Sequence, residues 1–288
     1  MNPYLQDGIY KEKIKISINN VKIIGQSKDN TIITNHDYFH KIMPDYNECN
    51  TFRSYTLYVG GDNVCLSNLT IENSSIPSKK YGQAVALHVD GDKFICENVE
   101  LRSAQDTLFS GPLPDDLILR HTNFLEKEFL KNHLSRQHYI NCNIKGDVDF
   151  IFGCGMALFE NCNLISTAEE YDPARFFFTA PSHEKNQEYG FLFYKCVLSG
   201  TNPNGKNISL GRPWRDYGIS VFIDCEYEKD LIKPDGFSDW LTLGRSKTAR
   251  FMEYNEHIDK SKRLPWIKQL TKDEKEKYLK DYMDTFNK

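Results

Sequence analysis

Six stretches of the chain share one pattern of apolar and polar positions: "VCLSNLTIEN" from Val64, "FICENVELRS" from Phe94, "HYINCNIKGD" from His138, "LFENCNLIST" from Leu158, "LFYKCVLSG" from Leu192 and "VFIDCEYEK" from Val221. Alternation over six or seven residues is strand periodicity, and its recurrence is an internal repeat. Aligned on the fifth residue, the segments match Asn68, Asn98, Cys142, Cys162, Cys196 and Cys225. The intervals are 30, 44, 20, 34 and 29 residues. The shortest is about one turn of a parallel β-solenoid, so longer ones carry excursions on some turns and not others. Stacked turns predict an internal ladder of Cys142, Cys162, Cys196 and Cys225. Its side chains would point the same way, which suits packing and not disulfides.

Helical periodicity is nearly absent before the tail. There "LTKDEKEKYLKDYM" carries a capping box, Thr271 to Glu274, followed by Tyr278, Leu279 and Tyr282, and predicts a helix docked on the solenoid. The expected organisation is an all-β solenoid over 1–265, a charged loop excursion over 111–135, and a helical tail over 266–288.

Composition narrows the function classes. The 288 residues hold 36 Lys and Arg against 40 Asp and Glu, well mixed, for a net charge of −4. That excludes the one-sided basic excess of a nucleic-acid binder. The longest apolar run, "FIFGCGMALF", is about half the ~20 residues that span a bilayer. The opening stretch "MNPYLQDGIYKEK" has no apolar signal region, and the eight cysteines form no CxxC pair. Free thiols, a cytoplasmic location and a monomer are expected, with no nucleic-acid or membrane partner.

Several familiar devices fail. "GCGMAL" lacks the third glycine and the strand-to-helix context of a nucleotide loop. "HDYFH" spaces His36 and His40 like a zinc pair, but Asp37 replaces the glutamate and the setting is a polar loop. What remains is acids, amides and one arginine in unusual settings: Gln83 heading "QAVAL", Gln105 and Asp106 in "SAQDTLFSG", Asp149 pressed against Phe150-Ile151-Phe152 in "GDVDFIFG", and Arg212 in "LGRPWRD" beside Trp214. Singly, each has a structural explanation: a turn cap for either Asp, a polar ladder for Gln83, a salt bridge for Arg212. On a solenoid, however, equivalent positions of successive turns converge on one groove.

Together, "GQAVAL", "QDTL", "GDVDFIFG" and "LGRPWR", with "RQHYINC", "TAPSH…YGFLF" and "RLPW…LT", resemble the signature segments of pectin methylesterases from about residue 8 to 280. The resemblance implies a right-handed parallel β-helix that hydrolyses methyl esters of galacturonate in pectin or oligogalacturonides, without a metal or organic cofactor. Residue by residue, it implies that Asp149 is the nucleophile and Asp106 the acid/base. Gln83 and Gln105 would donate to the oxyanion, Arg212 would grip Asp149, and Phe152 and Trp214 would line the sugar groove. A low net charge suits a substrate that is nearly neutral where it is esterified.

Two departures shape the expectations. Forty-three residues separate Asp106 from Asp149. A loop at 111–135, rimming the groove, keeps the two acids on adjacent turns, whereas an inserted turn would part them. The chain also opens almost directly on "DGIYKEKIKI", where related domains begin with a capping helix and a first strand, so that cap is expected to be missing. The alternatives are a polygalacturonase or pectate lyase on the same scaffold, or an inactive or carbohydrate-binding solenoid.

Overall fold

The computed structural model describes residues 2–45, 47–113, 118–119, 133–168, 176–202, 206–241 and 244–288. The described strands are almost all short, two to five residues, and fall into three parallel sheets of ten, eight and seven strands. Each of the first seven turns gives one described strand to each sheet in order, which is a right-handed parallel β-helix. Most of the 111–135 excursion lies outside the described residues.

The corners between sheets explain the repeat. Leaving the ten-stranded sheet, the backbone passes through one residue in the left-handed region: Asn68, Asn98, Asn141, Asn161, Lys195 and Asp224, all at φ between 51° and 54°. Asn and Asp tolerate this conformation because their short polar side chains bond locally. The next residue then turns inward.

This corrects the alignment on the fifth residue. Ile95 pairs with His138 and Glu97 with Ile140, so Asn98 stacks over Asn141, not over Cys142. The first two segments slip by one against the other four. The inward column therefore runs Leu69, Val99, Cys142, Cys162, Cys196 and Cys225, all buried. The slip arises because an apolar residue and a thiol fill the same inward position. The four cysteines do form a ladder, each thiol donating to a carbonyl of the preceding turn at 3.2 to 3.4 Å.

Beside them Tyr139, Phe159, Phe193 and Phe222 stack face to face, with centroid spacings of 4.7, 4.5 and 4.4 Å. Each such pair adds roughly 0.5–1.5 kcal/mol beyond burial.

The seven-stranded sheet carries the chemistry. Its strands run from Ile14–Ile16 through Leu57–Val59, Leu87–Val89, Leu108–Ser110, Ile151–Gly153 and Phe177–Pro181 to Ser209–Gly211. Leu108 pairs directly with Ile151 and Phe109 with Phe152, so the chain between them makes one turn of the coil and no extra one. Gly153, at φ 121°, is required here: a Cβ would lie 2.0 Å from the Ser110 carbonyl oxygen.

The coil closes with Lys268–Gln269, which still pairs in the ten-stranded sheet, so strand structure runs past the boundary expected at 265. The helix Lys272–Phe286 follows, capped as the sequence implies. Thr271 Oγ1 accepts from Glu274 N, and Glu274 Oε2 accepts from Thr271 N at 2.9 Å. Lys268 and the Thr271 N–H hold the Glu274 carboxyl down at about 2. Tyr282 is fully buried against Tyr189 and donates its hydroxyl to the Gly190 carbonyl at 3.1 Å.

Candidate active site

Asp106 and Asp149 sit at a second left-handed corner, at φ 64° and 50°, where the chain enters the seven-stranded sheet. Holding a residue with a Cβ there costs on the order of 1–2 kcal/mol, a penalty that Asp carries better than most. The two lie on adjacent turns: Asp106 N donates to the Val148 carbonyl at 3.0 Å, and the strands that follow pair in register. One corner geometry, used twice, aims both carboxyls out of the coil.

Gln83 and Gln105 are joined by a parallel bridge on consecutive turns, and Ala84 N donates to the Gln105 carbonyl at 3.1 Å. Both amides are half-buried.

Arg212 arrives from two turns further along. Gly211 pairs with Thr179, and Thr179 with Ile151, which sets Arg212 in line with Phe152. Its guanidinium reaches back, Nε donating to Asp149 Oδ1 at 2.9 Å and Nη2 to Oδ2 at 2.6 Å. A two-pronged bridge of this kind fixes direction as well as charge. Asp149 is 5% exposed and Asp106 8%, so neither keeps much bulk hydration.

The two acids consequently differ. Burial and the neighbouring Asp149 carboxylate push Asp106 well above the usual range, against the pull of Arg212. Burial also raises Asp149, but there the Arg212 fork opposes it directly. Where two close carboxyls share one cation, the gripped one is the anion and the other holds the proton. The neighbouring Asp147 is taken up structurally, accepting from Ser78 Oγ and from Val148 N.

The floor beyond the acids is aromatic. Phe152 packs on Phe109 at 4.8 Å and edge-on to Trp214 at 5.6 Å, and Phe52 closes on Phe109 at 5.2 Å. All seven residues singled out in the sequence (Gln83, Gln105, Asp106, Asp149, Phe152, Arg212 and Trp214) line one open cleft of about 830 Å³.

Sequence reasoning missed the rest of this cleft. One wall comes from the segment around residues 39–53, which brings Phe39, Phe52 and Arg53. There His40 faces Glu48 at 2.7 Å, while Asp37 takes Lys13 and Lys41 at 2.8 and 2.7 Å, which tethers that wall to the first turn of the coil. Trp240 was missed as well, although it is one of only three tryptophans. It sits in an irregular stretch with no periodicity to tie it to Arg212.

Comparison with known proteins fits this geometry. The pectinesterase family profile matches residues 3–112 and 122–283. A pectinesterase of Arabidopsis thaliana, QRT1, is 31% identical over 96% of the chain. A probable pectinesterase/pectinesterase inhibitor of the same plant, number 64, is 31% identical over 92%. The chain spans 67% and 42% of the lengths of these two relatives. A crystal structure of a pectin methylesterase in complex with a hexasaccharide is 25% identical and superposes with a TM-score of 0.75, covering 96% of this chain and 86% of that one.

Proposed function

The chain belongs to the pectinesterase family, and from that premise we propose that it hydrolyses methyl esters of galacturonate units in pectin or oligogalacturonides, releasing methanol. The observation that carries the reading is the Arg212 fork on Asp149, one turn from Asp106, whose carboxyl burial and the Asp149 charge push well above the usual range. The neighbour that holds a hexasaccharide supports an oligosaccharide occupant for the cleft.

In the proposed reaction an Asp149 oxygen attacks the ester carbonyl carbon, whose π electrons move onto oxygen. The Gln83 and Gln105 amides donate to that oxyanion, and one such donor is typically worth about 10²–10³ in rate. The tetrahedral species collapses by breaking the bond to methoxide, which leaves as methanol with the proton of Asp106. The acyl group is now an anhydride on Asp149. Asp106, now a carboxylate, takes a proton from water as the water attacks. The anhydride opens, and Asp149 and the proton on Asp106 are restored.

Burial serves each step. An Asp149 carboxylate with little water is a stronger nucleophile, and Arg212 offsets the cost of desolvating it. Phe152 and Trp214 present apolar surface to pyranose faces.

The test is methanol release from methylated pectin and from short methylated oligogalacturonides, run beside Asp149→Ala. Methanol from the parent alone, at unchanged chain length, supports the reading. New reducing ends would mark a hydrolase of the backbone, unsaturated ends a lyase. Binding without methanol would mark a non-catalytic solenoid. The proposal includes a cytoplasmic location, which cell fractionation tests.

A further inference from the structure

Two aromatic rings lie over the Arg212 guanidinium. The Phe177 ring lies 4.0 Å from its central carbon and the Trp240 ring 4.1 Å from it. Neither ring arrives by chance of side-chain reach. Phe177 opens the strand between those of Phe152 and Gly211, pairs with Ser209, and donates its N–H to the Asp147 carbonyl at 3.3 Å. It is 4% exposed, and it does not line the cleft among the described residues.

Trp240 is delivered by a segment stitched along that strand's neighbour. Leu210 N donates to the Gly236 carbonyl at 2.8 Å, and Ser238 N to the Gly211 carbonyl at 2.9 Å. Asp239 then clips the turn shut, accepting from Trp240 N at 2.7 Å and from Ser246 Oγ at 2.6 Å. Beyond the indole, Arg245 lies 5.7 Å from the ring centre and bonds the Trp214 carbonyl.

We infer that Phe177 and Trp240 are positioning residues, a pair of aromatic plates that hold the Arg212 guanidinium edge-on to Asp149. A guanidinium carries its five N–H groups in its plane and is weakly hydrated on its faces, so it stacks readily on rings. With two rings over the guanidinium, tilting out of plane is hindered, and rotation in plane is stopped by the two bonds to Asp149. The plates also keep water from the cation, which leaves Asp149 as its partner in a poorly solvated site. This rests on the proposed esterase reading, since it explains how the nucleophile is kept ionised.

The groups that bear on Asp149 are Arg212 across the fork, Asp106 from the preceding turn and Asp147 on its own segment. A looser fork weakens the only one of these that favours its anion. The experiment compares Phe177→Leu and Trp240→Leu with Trp240→Phe, reading methanol-release kcat and KM across pH and the titration of Asp149 by carboxyl NMR.

Each Leu variant is expected to lose about 3- to 30-fold in kcat. KM should stay within about twofold. The acidic limb and the Asp149 titration should both move up by about half a pH unit or more, while Trp240→Phe restores most of the loss. A raised KM with the acidic limb and titration unmoved overturns the inference and makes Trp240 a sugar-lining residue only. If Phe177→Leu does not fold, the half-buried Trp240 pair decides. A parent without esterase activity, but with Asp149 titration shifted in the variants, would sink the proposed reaction and leave the plates standing.

Discussion

Two of the described carboxylate–guanidinium pairs, Asp149 with Arg212 and Glu253 with Arg263, are built differently. Near the end of the coil, Glu253 is fully buried and Arg263 grips it at 2.8 and 3.1 Å. Tyr227 donates a further hydroxyl at 2.8 Å and Gln269 an amide at 3.4 Å, while Arg263 also bonds the Pro234 carbonyl at 2.8 Å. Every oxygen is occupied. Asp149, by contrast, has only the Arg212 fork among the described residues, and its carboxyl borders the cleft. A saturated pair fastens two segments, whereas an unsaturated one keeps lone pairs available for a carbonyl carbon. The same two chemical groups give a rivet in one place and, in the proposed reaction, a nucleophile in the other.

Substituting each carboxylate separates the roles most sharply. Asp149→Ala should lower methanol release by about 10³-fold or more while the fold, read by circular dichroism, persists. Glu253→Gln should leave kcat/KM nearly unchanged yet cost about 3–5 kcal/mol of stability, because Arg263 is left buried without its anion. If both variants lose activity equally at equal stability, the contrast between the pairs is broken.

Gln105→Ala should lower kcat by about 10²-fold with KM little altered, since an oxyanion donor acts mainly in the transition state. An equal loss confined to KM would make the amide a substrate contact.

Asp106 sharpens the comparison from the side of stability. Its carboxyl is raised in the folded protein, so its contribution is fully present below the unfolded value and is lost as pH rises through the folded one. Asp106→Asn should therefore raise the melting temperature at neutral pH, by a few degrees, while it abolishes turnover. The parent's rate should fall on the alkaline side as Asp106 loses its proton. A melting temperature lowered by the substitution would contradict the assignment of the proton.

The smallest effect is expected in the thiol ladder. Cys162→Ala should cost about 1 kcal/mol of stability and leave kcat untouched. A change in pH profile there would mean that the interior column communicates with the site.

Much of this arrangement is legible in the sequence because a solenoid repeats it. Strand alternation marks the turns, and the corner residues Asn68, Asn98, Asn141 and Asn161 punctuate them. The 43-residue step from Asn98 to Asn141 equals that from Asp106 to Asp149, so once the corners are aligned the two acids fall at equivalent positions. The one-residue slip in the alignment hid that equality. An inward Leu or Val and an inward Cys do the same packing job, so hydrophobic pattern alone does not fix which residue turns the corner.

The wall around residues 39–53 and the plates on Arg212 were not legible. They depend on irregular segments whose side chains meet across turns with no shared period.

The sequence by itself determined the coil, the tail helix and the seven polar and aromatic residues that face the cleft, because local alternation, corner propensity and signature segments are properties of contiguous chain. Only the tertiary structure decided that Arg212 spends both prongs on Asp149, that the rings of Phe177 and Trp240 lie over its guanidinium, and that burial beside Asp149 raises the Asp106 carboxyl. Those outcomes follow from burial and from distances between distant turns, and a carboxyl's charge is set by what surrounds it, not by its neighbours in the chain.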